Sequence, residues 1–209
     1  MAPRSIAVLI EGDGDYDAVP LLVRNIAGAK TFYDLKVGTK PIKVGDAHAI
    51  LKSEKFVRLF EYAITRDDID AILIAADCED YCPIEAVQEV YKRVRQITDR
   101  IKKPVGVAFF CREYETMFLT NADHLATKSK SIILDPKKLP QNIDFLTVRN
   151  AKGMLKGIIS TNTYKETRDQ ARLTGAMDVE RCSATYRPLA HLINVIEWLY
   201  SWDGSRHLY

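Results

Sequence analysis

Residues 6–17 read IAVLIEGDGDYD: five apolar residues, then one glutamate and three aspartates interleaved with glycine. The arrangement recurs twice. AILIA, from Ala71, runs into DCED with Asp77, Glu79 and Asp80, and VGVAFF, from Val105, runs into REYE with Glu113 and Glu115. Carboxylates gathered in one place raise one another's pKa unless a cation stands among them. Oxygen donors without a histidine or cysteine pattern suit a hard cation, magnesium or manganese, which keeps several waters and shares its remaining positions with phosphate oxygens. Such a site favours phosphoryl or phosphodiester chemistry, in which the metal orients the attacking water and neutralises the leaving oxygen. A plainer origin exists for each acid taken singly. Asp and Gly start turns and Asp caps helices, so Asp15 and Asp17 read as starters of the first helix, and Asp80 as a cap for a helix near Pro83. The functional reading rests on the coincidence of the three clusters.

The elements that would position these acids are legible. Apolar runs of this length that do not alternate suit a parallel sheet covered on both faces. Helical spacing is seen over 18–26 and 56–64, where Ser53 is a candidate cap, and Pro83 opens the amphipathic stretch PIEAVQEVYKRVRQITDRI. Strands alternating with helices imply right-handed crossovers in an α/β fold. A further strand is expected around 32–37. After Phe110 the strand signal fades, and helices are expected over 114–121, 151–159, 165–173 and 188–200. In an open parallel sheet the ligand site lies beyond the carboxyl ends of the strands, so the three acidic clusters are expected along one edge.

The chain has 209 residues, 47% of them hydrophobic and 28% charged, with a formal charge of +2. That suits one soluble domain, and excludes the global field of a strongly basic nucleic-acid binder. No apolar run reaches the roughly 20 residues of a membrane span, and the start MAPRS lacks a secretory apolar stretch, so no membrane partner and a cytoplasmic location are expected. The four cysteines form no CxxC pair and read as free thiols.

Taken together, IEGDGDYDAVPLLV, ILIAADCEDYCPIEAV, VAFFCREYETMFLT and YKETRDQARLTGAMDVERCSATYRPL resemble the TOPRIM fold of topoisomerases, primases and overcoming-lysogenisation-type nucleases. They more closely resemble a large TOPRIM-like family often encoded beside an AAA- or ABC-type ATPase, in neighbourhoods linked to phage defence. The resemblance implies a TOPRIM-like Rossmannoid parallel sheet over 1–125, with a helical extension over 126–209 packed on it as one unit. It implies that Glu11 does acid or base work, that Asp77 and Glu79 hold metal at the positions of an Asp-x-Asp motif, and that Glu113 and Glu115 match a Glu-aromatic-Glu segment. Here the second motif position is a glutamate, and Asp80 beside it is a substitute. Cys82 and Pro83 match a Cys-Pro that follows the motif, and Arg187 a Ser-x-x-aromatic-Arg element.

A nuclease also needs cations for the phosphate backbone. AKGMLKG supplies Lys152 and Lys156, of which Lys156 is the better candidate, and Arg112 and Arg187 join it, with Asp13 in support of Glu11; Arg112 is also placed to pair with Glu113. The aromatic end IEWLYSWDGSRHLY either meets a partner or closes against the sheet. The expectation is therefore a Mg²⁺- or Mn²⁺-dependent nuclease acting on DNA or RNA, the effector subunit of an ATPase-coupled defence complex, with self-association left open. The alternative is a TOPRIM-shaped interaction or regulatory subunit without catalysis.

Overall fold

Each of the three non-alternating apolar runs is a strand in the computed structural model, which describes residues 5–38, 40–160 and 163–209. In chain order the strands are β1 (Ser5–Ile10), β2 (Lys36–Val37), β3 (Ile42–Lys43), β4 (Ala71–Asp77) and β5 (Val105–Phe110). All pair in parallel. β1 and β4 run in register from Ile6 opposite Ala71 to Ile10 opposite Ala75, and β4 and β5 from Ile72 opposite Val105 to Asp77 opposite Phe110. The strand expected over 32–37 appears only as Lys36–Val37, followed by a second short pairing at Ile42–Lys43, both alongside β1. Pro41 lies between them and has no N–H to give the ladder, which accounts for the break. The sheet is a Rossmann-like α/β layer with strand order β2-β1-β4-β5, and β3 sits beside the later half of β1.

Successive strand residues face opposite sides, and both sides are covered. Val8, Ile10, Leu73 and Ala75 join one buried cluster with helix α1 (Asp15–Ala29). Ala7, Leu9, Ile72 and Ile74 join another with α2 (Ala47–Lys52), α3 (Glu54–Ile64) and α4 (Pro83–Ile101). Ser53 Oγ accepts from the Lys55 amide and so caps α3, while Pro83 begins α4 where a missing N–H costs nothing.

Beyond β5 the chain folds into α5 (Thr116–Thr120), α6 (Ala122–Lys128), α7 (Ala151–Ile158), a π-helical turn over Glu166–Gln170, α8 (Ala171–Ala176), α9 (Val179–Thr185) and α10 (Arg187–Ser201). α2, α6 and α9 carried no clear sequence signal. α10 lies along β5, and Leu189, Leu192, Val195, Ile196 and Leu199 are buried in the α1 cluster. Gly106 permits that approach: a Cβ there would stand 2.3 Å from Val195 Cγ1.

The aromatic end closes on the molecule. Tyr200 stacks on Phe32 at 4.1 Å and donates to Asp34, and Trp198 packs 5.4 Å from Tyr209. Val105 N donates to His207 O at 2.8 Å, so residues 207–209 pair with the first residue of β5 at the edge of the sheet. The four cysteines are free. Among the described residues no helix is long and apolar enough to cross a membrane.

Candidate functional site

The carboxyl ends of β1, β4 and β5 lie side by side, so the three acidic clusters share one edge. Glu11 leaves β1, and its Oε2 accepts from the Asp77 backbone amide at 3.3 Å. Asp77 ends β4 with Oδ1 sealed from solvent and without a hydrogen-bond partner. A carboxylate oxygen in that position is costly. Burial raises the Asp77 carboxyl well above the usual range, and Glu11, Asp15, Glu115 and Glu113 raise it further. Burial and repulsion from Asp15 push Glu11 up to about 7, against the pull of the Asp77 amide.

Asp15 was read from sequence only as a helix starter. It does open α1, but its Oδ2 accepts from the Gly12 amide at 3.2 Å and it belongs to the same acidic group. Burial pushes it up to about 6; the Gly12 amide opposes the rise, while Glu166 adds to it. Gly14 lets the π-helical turn close over this spot, since a Cβ there would meet Gln170 Oε1 at 3.0 Å and Glu166 Cβ at 3.1 Å.

The third cluster is held from the other side. The buried Tyr186 hydroxyl accepts from the Cys111 amide at 2.8 Å and fixes the exit of β5. Glu113 Oε2 then accepts from the Lys152 amide at 2.8 Å, in the first turn of α7, where free N–H groups favour a carboxylate. Asn150 caps the same helix through the Gly153 amide. Glu115 is 1% exposed and accepts from the Tyr164 hydroxyl at 2.8 Å; burial raises its pKa. Lys152 Nζ pairs with Glu166 Oε2 at 3.1 Å. Burial works against the Lys152 charge, but Glu115, Glu166 and Glu113 outweigh it and its pKa rises.

The remaining candidates lie elsewhere. Asp13 is exposed and pairs with Lys43. Asp80 is held by Arg112 at 2.6 Å and Arg149 at 2.8 Å, so Arg112 serves Asp80 rather than Glu113. Arg112 also donates to the Glu79 carbonyl at 2.9 Å. Glu79 and Arg112 both have left-handed backbones, φ 48° and 64°, and Glu79 N donates to Arg112 O. The Glu79 side chain is exposed and acts on Glu11 by repulsion. Lys156 is exposed on the next turn of α7, and Arg187 opens α10 beside a cavity behind the DCED turn.

The site therefore gathers Glu11, Asp15, Asp77, Glu113 and Glu115, with Lys152 and Glu166. Glu166 carries no sequence signal, Asp15 reads only as a helix starter, and Lys152 is visible in AKGMLKG beside the preferred Lys156. AKGMLKG signalled a lysine beside glycine but not which of its two lysines turns inward. Among the described residues no three acid, imidazole or thiol side chains stand together at metal-ligand distance. The donor set is nevertheless all hard oxygen, its members repel, and Asp77 presents an orphaned buried oxygen, which together fit a divalent cation. The chain matches no family model, no curated protein and no solved structure.

Proposed function

We propose that the protein is a metal-dependent nuclease of TOPRIM type that hydrolyses phosphodiester bonds in DNA or RNA. The observation that carries the proposal is the sealed, unpartnered Asp77 Oδ1 beside Glu11, within a group of like charges. A site that concentrates unneutralised carboxylate at the end of a parallel sheet costs stability, and is retained where a cation repays it.

In this reading Asp77 would hold Mg²⁺ or Mn²⁺, and Glu79 and Glu113, which follow the ends of β4 and β5, would have to turn toward it to contribute further oxygens. When bound, the cation supplies charge neutralisation and an activated water. Glu11, at the end of β1 with its Oε2 on the Asp77 amide, is the carboxyl placed to move a proton. Lys152, which Glu115, Glu166 and Glu113 all act on, suits a phosphate oxygen better than the exposed Lys156. The TOPRIM assignment, the ATPase partner and the role in phage defence are carried by the sequence resemblance alone.

The test is cleavage of plasmid, single-stranded DNA and transfer RNA with Mg²⁺ or Mn²⁺, with and without any ATPase encoded beside it. Loss of cleavage in a Glu11→Ala, Asp77→Ala double variant is the expected result. Identical behaviour of wild type and variant on every substrate would overturn catalysis.

One observation favours the non-catalytic subunit instead: Asp80, the spare acid of the second cluster, is neutralised by two arginines. Calorimetric titration with Mn²⁺ separates the two, because an interaction module takes up no metal at millimolar concentration.

A further inference from the structure

Behind the DCED turn, between the start of α4, the end of β5 and the start of α10, lies a cavity of about 670 Å³. Its walls include the rings of Tyr91, Phe109, His191 and Tyr209, together with Cys111, and Arg187 stands among the residues that line it. Arg187 is exposed and makes no ion pair or hydrogen bond among the described residues. Ile84 on the same wall is 70% exposed, an apolar side chain left in solvent.

The position relative to the acids matters as much as the lining. Asp77 lies opposite Phe110, and Cys111 is the next residue along. The cavity thus opens at the same end of the sheet as the acids, but Asp77 and Phe110 turn to the α1 side, whereas Phe109, which lines the cavity, turns to the α4 side. An apolar, ring-lined cavity with the unpaired Arg187 on its wall, at the same end of the sheet as the acids, has the chemistry of a stacking pocket for a base whose phosphates lie outside.

We propose that this cavity is a subsite for one unstacked nucleobase, which makes the substrate a single-stranded nucleic acid, or a strand end or loop, rather than continuous duplex. The inference rests on the nuclease proposal. A base in a duplex is stacked and paired, and reaching the cavity would require extruding it at a cost. A single strand offers its bases freely. Arg187 would take the phosphate on the far side of that base.

The test uses the full-length protein in EDTA, so that binding is read without cleavage. The probes are fluorescein-labelled single-stranded oligonucleotides of mixed sequence, DNA and RNA, the same lengths carrying an abasic run, and a duplex of equal length. Intact single strands are expected to bind roughly tenfold more tightly than abasic ones, within the range that loss of one stacked base costs. Val87→Trp, which fills the cavity from α4, should weaken intact single strands to the abasic level and leave the duplex unchanged. Because that variant alters packing, a second readout uses the unaltered protein: intact oligonucleotide, but not the abasic one, should slow alkylation of the exposed Cys82 on the cavity wall. Equal binding of intact and abasic strands, or no protection of Cys82, overturns the subsite, as does the absence of any binding. A protein that shows these effects yet cuts nothing with Mg²⁺ or Mn²⁺ overturns the nuclease proposal instead.

Discussion

The backbone amide of Asp77 donates to Glu11 Oε2 at 3.3 Å, joining the ends of two neighbouring strands through one carboxylate. That bond favours the ionised form of Glu11, yet burial and Asp15 prevail and its proton stays on up to about 7. The site is therefore under electrostatic load when no cation is bound, and the load can be measured.

Stability should fall as pH rises. Folding lifts the Glu11 carboxyl from 4.5 to about 7 and the Asp15 carboxyl from 3.8 to about 6. Between those values the folded chain holds more protons than the unfolded one, so the penalty is absent below the ordinary carboxylate range and complete above the folded values. The melting temperature of the metal-free protein is expected to be several degrees lower at about pH 8 than at about pH 5. A melting temperature that is flat or rising over that interval would contradict the assignment.

Divalent cation should reverse the loss. At a Mn²⁺ concentration about 100 times its dissociation constant, binding adds about 2.7 kcal/mol. The gain should be largest at alkaline pH, where the carboxylates are free of protons. Asp77→Asn should abolish the gain while raising metal-free stability at alkaline pH by about 1 kcal/mol, since the amide cannot take the charge that Glu11 and Asp15 oppose. Thermal melting with and without Mn²⁺ reads both effects.

The two lysines of AKGMLKG should behave differently. Lys152→Ala removes the cation paired with Glu166 and facing Glu113 and Glu115, and is expected to cost about 1–3 kcal/mol in urea unfolding at neutral pH. Lys156 is exposed, so Lys156→Ala should stay within about 0.5 kcal/mol of wild type. Equal costs would mean that Lys152 is not the cation holding the acids.

Packing of the last helix on the sheet gives a control away from the site. Gly106→Ala would put a methyl group 2.3 Å from Val195 Cγ1, so α10 must shift, and a loss of about 1–3 kcal/mol is expected. Activity per folded molecule should change little.

The strands Ser5–Ile10, Ala71–Asp77 and Val105–Phe110 were legible in the sequence because a doubly covered parallel strand needs an unbroken apolar run, and little else in the chain supplies one. Their common polarity put Glu11, Asp77 and Glu113 along one edge before any side chain was located. The helix starts at Ser53 and Pro83 followed from local backbone chemistry. Short or broken elements were not legible: Lys36–Val37 and Ile42–Lys43 are too brief to show a period, and they exist because β1 offers them an open side. The membership of the site was decided only by the tertiary structure. Asp15, Lys152 and Glu166 come from three separate segments, whereas Asp80, close to Asp77 in sequence, is drawn off by Arg112 and Arg149. Neighbours along the chain are set by covalent bonds, but which carboxylate is left without a cation depends on where the distant arginines and lysines arrive, and no local pattern records that.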